Sequence, residues 1–179
     1  MIKRVKALII TIILKIKYKT VYLNGKIYKF GFDSLNNINL ISGEINIKKS
    51  ISMGKGSRLG VNKGGKLEIG SGCSINSNSL IICLGEIKIG DNVSFGPNVC
   101  VYDHDHAFNE NGKIDGEYKI GKVKIGNNVW LGANVIILRN SEIGDNCVIG
   151  AGAIVKGSIP PNSLVTSDRN MIIKKLKNK

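Results

Sequence analysis

A six-residue repeat constrains the fold of this chain more than any other feature. From Ile125 the sequence divides into consecutive hexapeptides, which read IGNNVW, LGANVI, ILRNSE, IGDNCV, IGAGAI and VKGSIP. The first position is aliphatic in every unit, and the fifth position is mostly small or β-branched. Such a period predicts stacked structural units, each of which buries its apolar face only against its neighbours. We therefore expect a solenoid with about three hexapeptides per coil rather than a sandwich of alternating strands.

The repeat begins well before Ile125. The same phase appears in IGDNVSFGPNVC from Ile89 and in IGSGCSINSNSL from Ile69. Two additional residues precede each new coil at LEIG, IKIG and VKIG, and the pattern ends at Pro160-Pro161. Gly, Asn and Asp follow the aliphatic residue of many units, which predicts corners with tight backbone geometry and positive φ angles.

One stretch inside the repeat has no period. Residues 102–122 are polar and contain both histidines of the chain. A long interruption of a regular solenoid is usually a functional loop. The chain is therefore predicted to comprise an N-terminal basic, amphipathic segment (1–37), a solenoid domain (38–165) with the inserted loop 102–122, and a C-terminal basic segment (166–179) that forms a short helix.

The net charge of +13 is concentrated at the two ends of the chain. Residues 1–29 hold eight Lys or Arg and no acid, and residues 168–179 hold five bases and one acid. The solenoid itself is close to neutral. Because a nucleic-acid-binding protein would carry a basic stripe on its folded body, no nucleic-acid partner is expected. Basic ends are more typical of solvated or membrane-facing segments.

The N-terminus combines basic residues with an apolar run from Ala7 to Leu14. The run is too short to span a bilayer, and no small-residue cleavage site follows it. Three interpretations stay open, with the first favoured: a helix or strand packed on the body, a basic helix on an anionic membrane surface, or an uncleaved export signal. We expect a cytoplasmic protein, with peripheral contact at the inner membrane face as the membrane alternative.

The four cysteines indicate a reducing compartment. They form no C-x-x-C pair, so neither a zinc knuckle nor a disulfide framework is expected. Their positions are Cys73, Cys83, Cys100 and Cys147.

Residues 69–165 resemble the hexapeptide-repeat acyltransferases. Within that family, IGDNVSFGPNVCVYDHDH, VKIGNNVWLGANVIIL and IGDNCVIGAGAIVKGSIPPNS are similar to the galactoside, maltose and surface-polysaccharide O-acetyltransferases. The resemblance implies an all-β, left-handed parallel β-helix, in which the left hand comes from the family alone. It also implies direct acetyl transfer from acetyl-CoA to a hydroxyl, without an acyl-enzyme and without a required metal. A homotrimer with active sites between subunits and a carbohydrate acceptor are further implications.

The resemblance places the catalytic base at His106, five residues after Val101. Histidine has a pKa near 6.5, so it can take a proton from a hydroxyl and return it to a thiolate. His104 is the alternative base, and both rings could instead only order the loop. Asp103 and Asp105 flank the histidines, where a carboxylate could orient a ring or cap a turn.

The remaining site residues are carried over from matching family positions. The backbone N–H of Ala133 is the expected oxyanion donor. Trp130 ends its hexapeptide at an outward position, so it is expected to line the CoA or acceptor cleft rather than pack in a trimer. CoA is expected to contact Trp130, Ala133, Ala151, Lys156 and Lys174. The acceptor is expected to contact Asn76, Glu86 and Trp130.

The C-terminal sequence departs from the family pattern. The usual G-x-P-A-[RK] after the prolines is replaced by SDRNMII. Arg169, Lys174 and Lys175 are therefore either substitutes that hold the CoA phosphates or parts of a solvated tail.

The leading functional prediction is acetylation of a surface polysaccharide or its precursor. N-acylation of an amino sugar or a drug and O-acetylation of serine are alternatives from the same fold. A carbonic anhydrase of this fold would need three histidine ligands on separate coils, and the chain has two histidines. A non-catalytic scaffold is the remaining alternative, although it would not need the histidine-bearing loop.

Overall fold

The computed structural model describes residues 21–23, 38–40, 43–112 and 114–167. The apolar run Ala7–Leu14, the predicted C-terminal helix and the candidate CoA residue Lys174 lie outside the described residues. Within the described ranges there is no helix long and apolar enough to cross a membrane.

The described strands form three parallel sheets and one hairpin. Sheet A contains β1 (Val21–Leu23), β3 (Glu44–Ile47), β6 (Lys66–Ile69), β9 (Glu86–Ile89), β14 (Lys122–Ile125), β17 (Ser141–Ile143) and β20 (Ser158–Ile159). Sheet B contains β4 (Ser52–Met53), β7 (Ser74–Ile75), β10 (Ser94–Phe95), β15 (Trp130–Leu131), β18 (Val148–Ile149) and β21 (Leu164–Val165). Sheet C contains β2 (Ile38–Leu40), β5 (Arg58–Val61), β8 (Leu80–Cys83), β11 (Cys100–Tyr102), β16 (Ile136–Ile137) and β19 (Ile154–Val155).

The chain visits sheets A, B and C in turn, so each coil adds one strand to each face of a three-sided prism. The all-β solenoid predicted from the repeat is confirmed. Strand β1 lies before residue 38 and pairs in parallel with β3, with Val21 opposite Ile45. Sheet A therefore continues into the segment that the sequence assigns to the N-terminal extension.

The prism interior is built from the first and fifth positions of the hexapeptides, as predicted. Leu131 and Ile137 occupy first positions, Val129 and Val135 occupy fifth positions, and all four are at most 1% exposed. Equivalent residues of successive coils stack in register, so the interior is a set of mostly aliphatic columns, with Phe95 stacked on Leu131. Burying a residue of this size contributes about 1.5–3 kcal/mol, which explains the regularity of these two positions.

The corners use asparagine and glycine for different reasons. The fourth position takes positive φ, as at Asn128 (55°) and Asn134 (59°). The Asn128 side chain also donates to Oδ1 of Asn146 in the next coil, over 3.1 Å. The second-position glycine has ordinary φ, and at Gly90 a Cβ would lie 2.6 Å from the carbonyl oxygen of Gly126. Positive φ is therefore a property of the fourth position. Glycine occurs at the second position because successive coils approach too closely there for a Cβ atom.

The segment predicted as an inserted loop contains an antiparallel hairpin. Its strands are β12 (His104–Phe108) and β13 (Ile114–Ile120), with His104 opposite Ile120 and His106 opposite Tyr118. The sequence IDGEYKI of β13 alternates in polarity, a pattern typical of a short strand. The hairpin leaves the prism between sheets C and A, because it connects β11 to β14.

Candidate active site

A buried carboxylate fixes the start of the hairpin. Asp103 is 0% exposed and follows β11. Its Oδ1 accepts the Leu84 N–H over 2.9 Å, and its Oδ2 accepts the Gly85 N–H over 2.8 Å. Both donors belong to the corner of the preceding coil. Burial, followed by the charge of Asp103, raises the pKa of the Cys83 thiol, which therefore stays protonated.

The same carboxylate orients one of the two imidazoles. Nδ1 of His104 lies 3.0 Å from Oδ1 of Asp103, and the His104 side chain is 12% exposed. The ring sits edge-on between Tyr102 and Tyr118, with centroid distances of 6.1 and 5.4 Å. Asp103 thus contacts both the His104 ring and two backbone N–H groups of the preceding coil, and its catalytic role stays a prediction.

His106 is the exposed imidazole of the pair. It lies on β12 opposite Tyr118, and the two ring centroids are 4.8 Å apart at an interplanar angle of 40°. The other flanking carboxylate, on Asp105, accepts a hydrogen bond from Nε of Arg139 over 2.8 Å. The carboxylate–imidazole pair therefore involves His104, whereas His106 offers an accessible ring at the surface.

Tyr118 and Arg139 are contacts that the sequence did not single out. Tyr118 lies in the alternating pattern of β13 and could have been found from that period. Arg139 stands in ILRNSE, the one hexapeptide of the series without Gly at its second or third position. This departure from the repeat was the sequence signal that could have marked Arg139 as a functional candidate. Tyr102 stays neutral, since burial and then Cys100 raise its pKa to about 12.

A second group of candidate residues lies at the turn from sheet B to sheet C. Asn76, Gly96 and Gly132 follow strand residues that pair in register, so they occupy equivalent corners of three coils. In the first of these coils, Oδ1 of Asn76 accepts the Ser77 N–H over 2.7 Å. Asn76 therefore caps its own turn, and its contact with an acceptor stays a prediction.

The equivalent N–H in the third coil is that of Ala133. Its preceding residue, Gly132, has no side chain that could cap it. Among the residues that the structure describes, the Ala133 N–H has no hydrogen-bond partner. An oxygen of a bound molecule, placed relative to Ala133 as Oδ1 of Asn76 is placed relative to Ser77, would accept this N–H. An N–H available in this way is what an oxyanion donor requires. Ala151 is exposed at the same corner one coil further on.

Trp130 and Lys156 are both exposed. Trp130 points outward from sheet B and is 57% exposed, so its predicted outward position is confirmed. It lies in register with Ser94 and Val148 of the adjacent strands. Lys156 directly follows β19, at the turn from sheet C toward sheet A. Their CoA contacts stay predictions.

Glu86 lies on the outer face of sheet A, where it binds two lysines. Its carboxylate lies 2.7 Å from Nζ of Lys122 and 2.8 Å from Nζ of Lys88. Hydrogen bonds from Lys122 and then Lys88 lower the pKa of Glu86 to about 2, well below its ordinary value of 4.5. The carboxylate is thus ionised and paired, and its predicted contact with an acceptor stays untested.

Glu86→Gln should remove a pH-dependent contribution to stability. Because the folded-state pKa is depressed, the stabilisation is present above pH 4.5 and is lost as the pH falls toward 2. The unfolding free energies of the wild type and Glu86→Gln, measured by urea denaturation, should therefore converge between about pH 5 and pH 2. Glu68→Gln on the same face is the control for charge removal, and a Glu86→Gln difference that is constant with pH would contradict the assignment.

Two groups of candidate residues lie at opposite edges of sheet C. The histidine hairpin leaves the prism after the C strand, whereas Ala133, Ala151 and Asn76 precede the C strands. A strand advances about 3.3 Å per residue, so residues 135–138 alone separate the two edges by about 10 Å. Reacting groups must approach to about 3–3.5 Å. The described geometry of one chain does not bring the two groups together.

Comparisons with known proteins identify the repeat. The model of the bacterial transferase hexapeptide (six repeats) matches residues 122–157. The chain is 36% identical over 99 residues to a galactoside O-acetyltransferase of Escherichia coli K12, covering 55% of this chain and 49% of that protein. It is 37% identical over 116 residues to the galactoside O-acetyltransferase of Lactococcus lactis, covering 64% and 56%. The chain spans about half the length of these curated relatives.

Solved structures extend the comparison to the fold. A hexapeptide-repeat acetyltransferase of Vibrio cholerae, complexed with acetyl-CoA, matches with a TM-score of 0.60 and 26% identity, covering 78% of this chain and 73% of that chain. A maltose O-acetyltransferase of Clostridium difficile matches with a TM-score of 0.52 and 27% identity, covering 98% and 87%. The predicted resemblance is confirmed: residues 122–157 match the hexapeptide repeat, and the chain is similar to galactoside and maltose O-acetyltransferases.

Proposed function

We propose that this protein is an acetyl-CoA-dependent O-acetyltransferase that acetylates a sugar hydroxyl. One observation carries the proposal: an exposed imidazole, that of His106, projects on an anchored hairpin from a hexapeptide solenoid similar to known O-acetyltransferases. The acetyl-CoA bound to the similar Vibrio cholerae structure supports the choice of donor. A surface polysaccharide or its precursor is the proposed acceptor class, on the basis of the basic N-terminal sequence.

The proposed reaction is a direct transfer. The acceptor hydroxyl oxygen attacks the thioester carbonyl carbon while His106 takes the hydroxyl proton. The Ala133 N–H donates to the oxygen of the tetrahedral intermediate. When the intermediate collapses, the carbon–sulfur bond breaks, an ester forms, and the imidazolium returns its proton to the departing thiolate. The products are the acetylated sugar and CoA, and His106 is neutral again.

We also propose a homotrimer in which two neighbouring subunits form each site. The two groups of candidate residues at opposite edges of sheet C require a second copy to meet. Sheet C also carries an outward apolar row that a second copy could cover, with Ile154 61% exposed. In-register pairing defines this row, which consists of Leu80, Cys100, Ile136 and Ile154.

Light scattering after size-exclusion chromatography tests the assembly. A trimer has a mass of about 58 kDa, three times the 19.4 kDa of one chain. Replacing Ile136 with lysine places a charge in the apolar row and should dissociate the trimer, because an unpaired charge is costly at a buried interface. Lys124→Glu on the charged face of sheet A is the control, and a monomeric wild type would contradict the proposal.

The activity is tested by measuring thiol release from acetyl-CoA with a panel of acceptors. The panel contains neutral sugars, nucleotide sugars, amino sugars and serine. Release with a hydroxyl sugar, together with ester formation seen by mass spectrometry, is the expected result. Release only with amino sugars or only with serine would replace the O-acetyltransferase proposal with the corresponding alternative. No release with any acceptor, and no thermal stabilisation by CoA, would favour the scaffold.

A further inference from the structure

The orientation of the hairpin must be set at its base. The hairpin has two strands, and two-stranded hairpins are marginally stable in water. Its register is interrupted between His106 and Phe108, and both Phe108 and Ile114 are more than half exposed. Inside the hairpin the His106 ring contacts Tyr118, but this contact moves with the hairpin. The direction of His106 relative to the prism therefore depends on the attachments at the hairpin base.

The preceding coil holds one side of this base. The buried carboxylate of Asp103 accepts N–H groups from Leu84 and Gly85. The Asp103 carbonyl oxygen accepts the Gly121 N–H over 2.8 Å, which closes the hairpin where it returns to β14. These bonds fix the first and last residues of the insertion, but they do not reach the strand segment that carries His106.

The following coil supplies a second attachment, closer to His106. Nε of Arg139, just after β16, donates to Oδ2 of Asp105 over 2.8 Å. The Arg139 side chain is 24% exposed, and a Cβ at Gly121 would lie 2.7 Å from its Cγ. The arginine stem thus lies against the hairpin base, and its charge-assisted bond holds β12 from the other side.

Successive side chains of a strand point to opposite faces. Within β12, Asp105 therefore occupies one face and binds Arg139, while His104 and His106 occupy the other face. Any rotation of the strand that breaks the Asp105–Arg139 bond also turns the His106 imidazole. We infer that Arg139 and Asp105 are positioning residues that hold His106 in its working orientation. This inference rests on the proposed function.

The kinetic test compares Arg139→Ala with the wild type. Since a displacement of about 1 Å can cost about 100-fold in rate, kcat for acetyl transfer should fall about 10- to 100-fold. KM for acetyl-CoA should stay within about twofold, because the proposed donor contacts at Ala133 and Ala151 lie at the other edge of sheet C. The Tm should fall by less than about 4 °C, since a partly exposed ion pair contributes about 1 kcal/mol or less.

A matched control exists on sheet A. Lys124→Ala removes another 2.8 Å ion pair between successive coils, with Glu142, away from the hairpin. This variant should keep the wild-type kcat. Asp105→Ala should lose as much activity as Arg139→Ala, and the double variant should lose no more than either, because the pair acts as a unit. Arg139→Lys should recover part of the loss.

Amide hydrogen exchange tests whether the Arg139–Asp105 bond, here called the clamp, holds the hairpin, and it does so without measuring turnover. In Arg139→Ala, amide exchange in residues 104–108 should rise, whereas in Lys124→Ala it should match the wild type. Unchanged exchange and kcat in Arg139→Ala, or additive losses in the double variant, would overturn the inference. A wild type that releases no thiol with any acceptor would instead overturn the proposed function, and the exchange result would still decide whether the clamp exists.

Discussion

His106→Ala should lower kcat for acetyl transfer by about 100- to 10,000-fold, the usual contribution of a positioned general base. The imidazole is exposed at the hairpin surface, so its removal leaves the prism intact, and the Tm should stay close to that of the wild type. Thiol release from acetyl-CoA at saturating acceptor measures the effect. Glu110→Ala, an exposed change in the turn of the same hairpin, should retain full activity.

His104→Ala distinguishes the two imidazoles. The His104 ring is held by Asp103 and enclosed by Tyr102 and Tyr118. Removal of the His104 ring should lower activity less than removal of His106, because the His104 ring influences the catalytic base His106 only by supporting the hairpin. If His104→Ala were inactive and His106→Ala active, the base would be His104, and the assignment of His106 would be wrong.

Asp103→Ala should produce the largest loss of stability among the site residues. It leaves the buried N–H group of Leu84 and the partly buried N–H group of Gly85 without an acceptor. Each unsatisfied buried group costs about 1–3 kcal/mol, so we expect a loss of about 3 kcal/mol in the free energy of unfolding. The corresponding fall in Tm is about 6–12 °C for a chain of this length. Urea and thermal denaturation measure both quantities.

Asp145→Ala is the matched control for this loss. Its carboxylate also accepts a backbone N–H at a corner, that of Asn127, but the residue is exposed and water can replace the acceptor. We expect the control to lose less than about 1 kcal/mol. Equal losses in the two variants would show that burial of Asp103 does not determine its contribution.

The interior of the prism was predictable because its pattern is local. Each coil repeats the same geometry, so an aliphatic residue such as Ile125 or Ile143 recurs wherever the chain turns inward. The additional residues at VKIG were also readable, since they lengthen the sheet A strand from two residues to four in β14. The sequence did not show that asparagine serves positive φ and glycine serves close packing of coils, because the distance between coils depends on the neighbouring coil.

The candidate site was predictable in its residues and less so in its contacts. The interrupted period located the histidines, and the resemblance favoured His106 over His104. Neither indicated that the loop is a hairpin whose alternation places the Asp105 carboxylate on the face opposite the two imidazoles. The Arg139 partner of Asp105 is 34 residues away in the chain, and no local pattern pairs two residues at that distance.

The sequence by itself determined the solenoid, the start of its coils and the segment that carries the histidines. These features follow from periodic burial, which repeats over short distances along the chain. Only the tertiary structure decided that Asp103 is buried and binds His104, that Arg139 holds Asp105, and that the Ala133 N–H lies across sheet C from the hairpin. Stacking of coils brings distant residues together at these points, and such contacts depend on three-dimensional register rather than on local pattern.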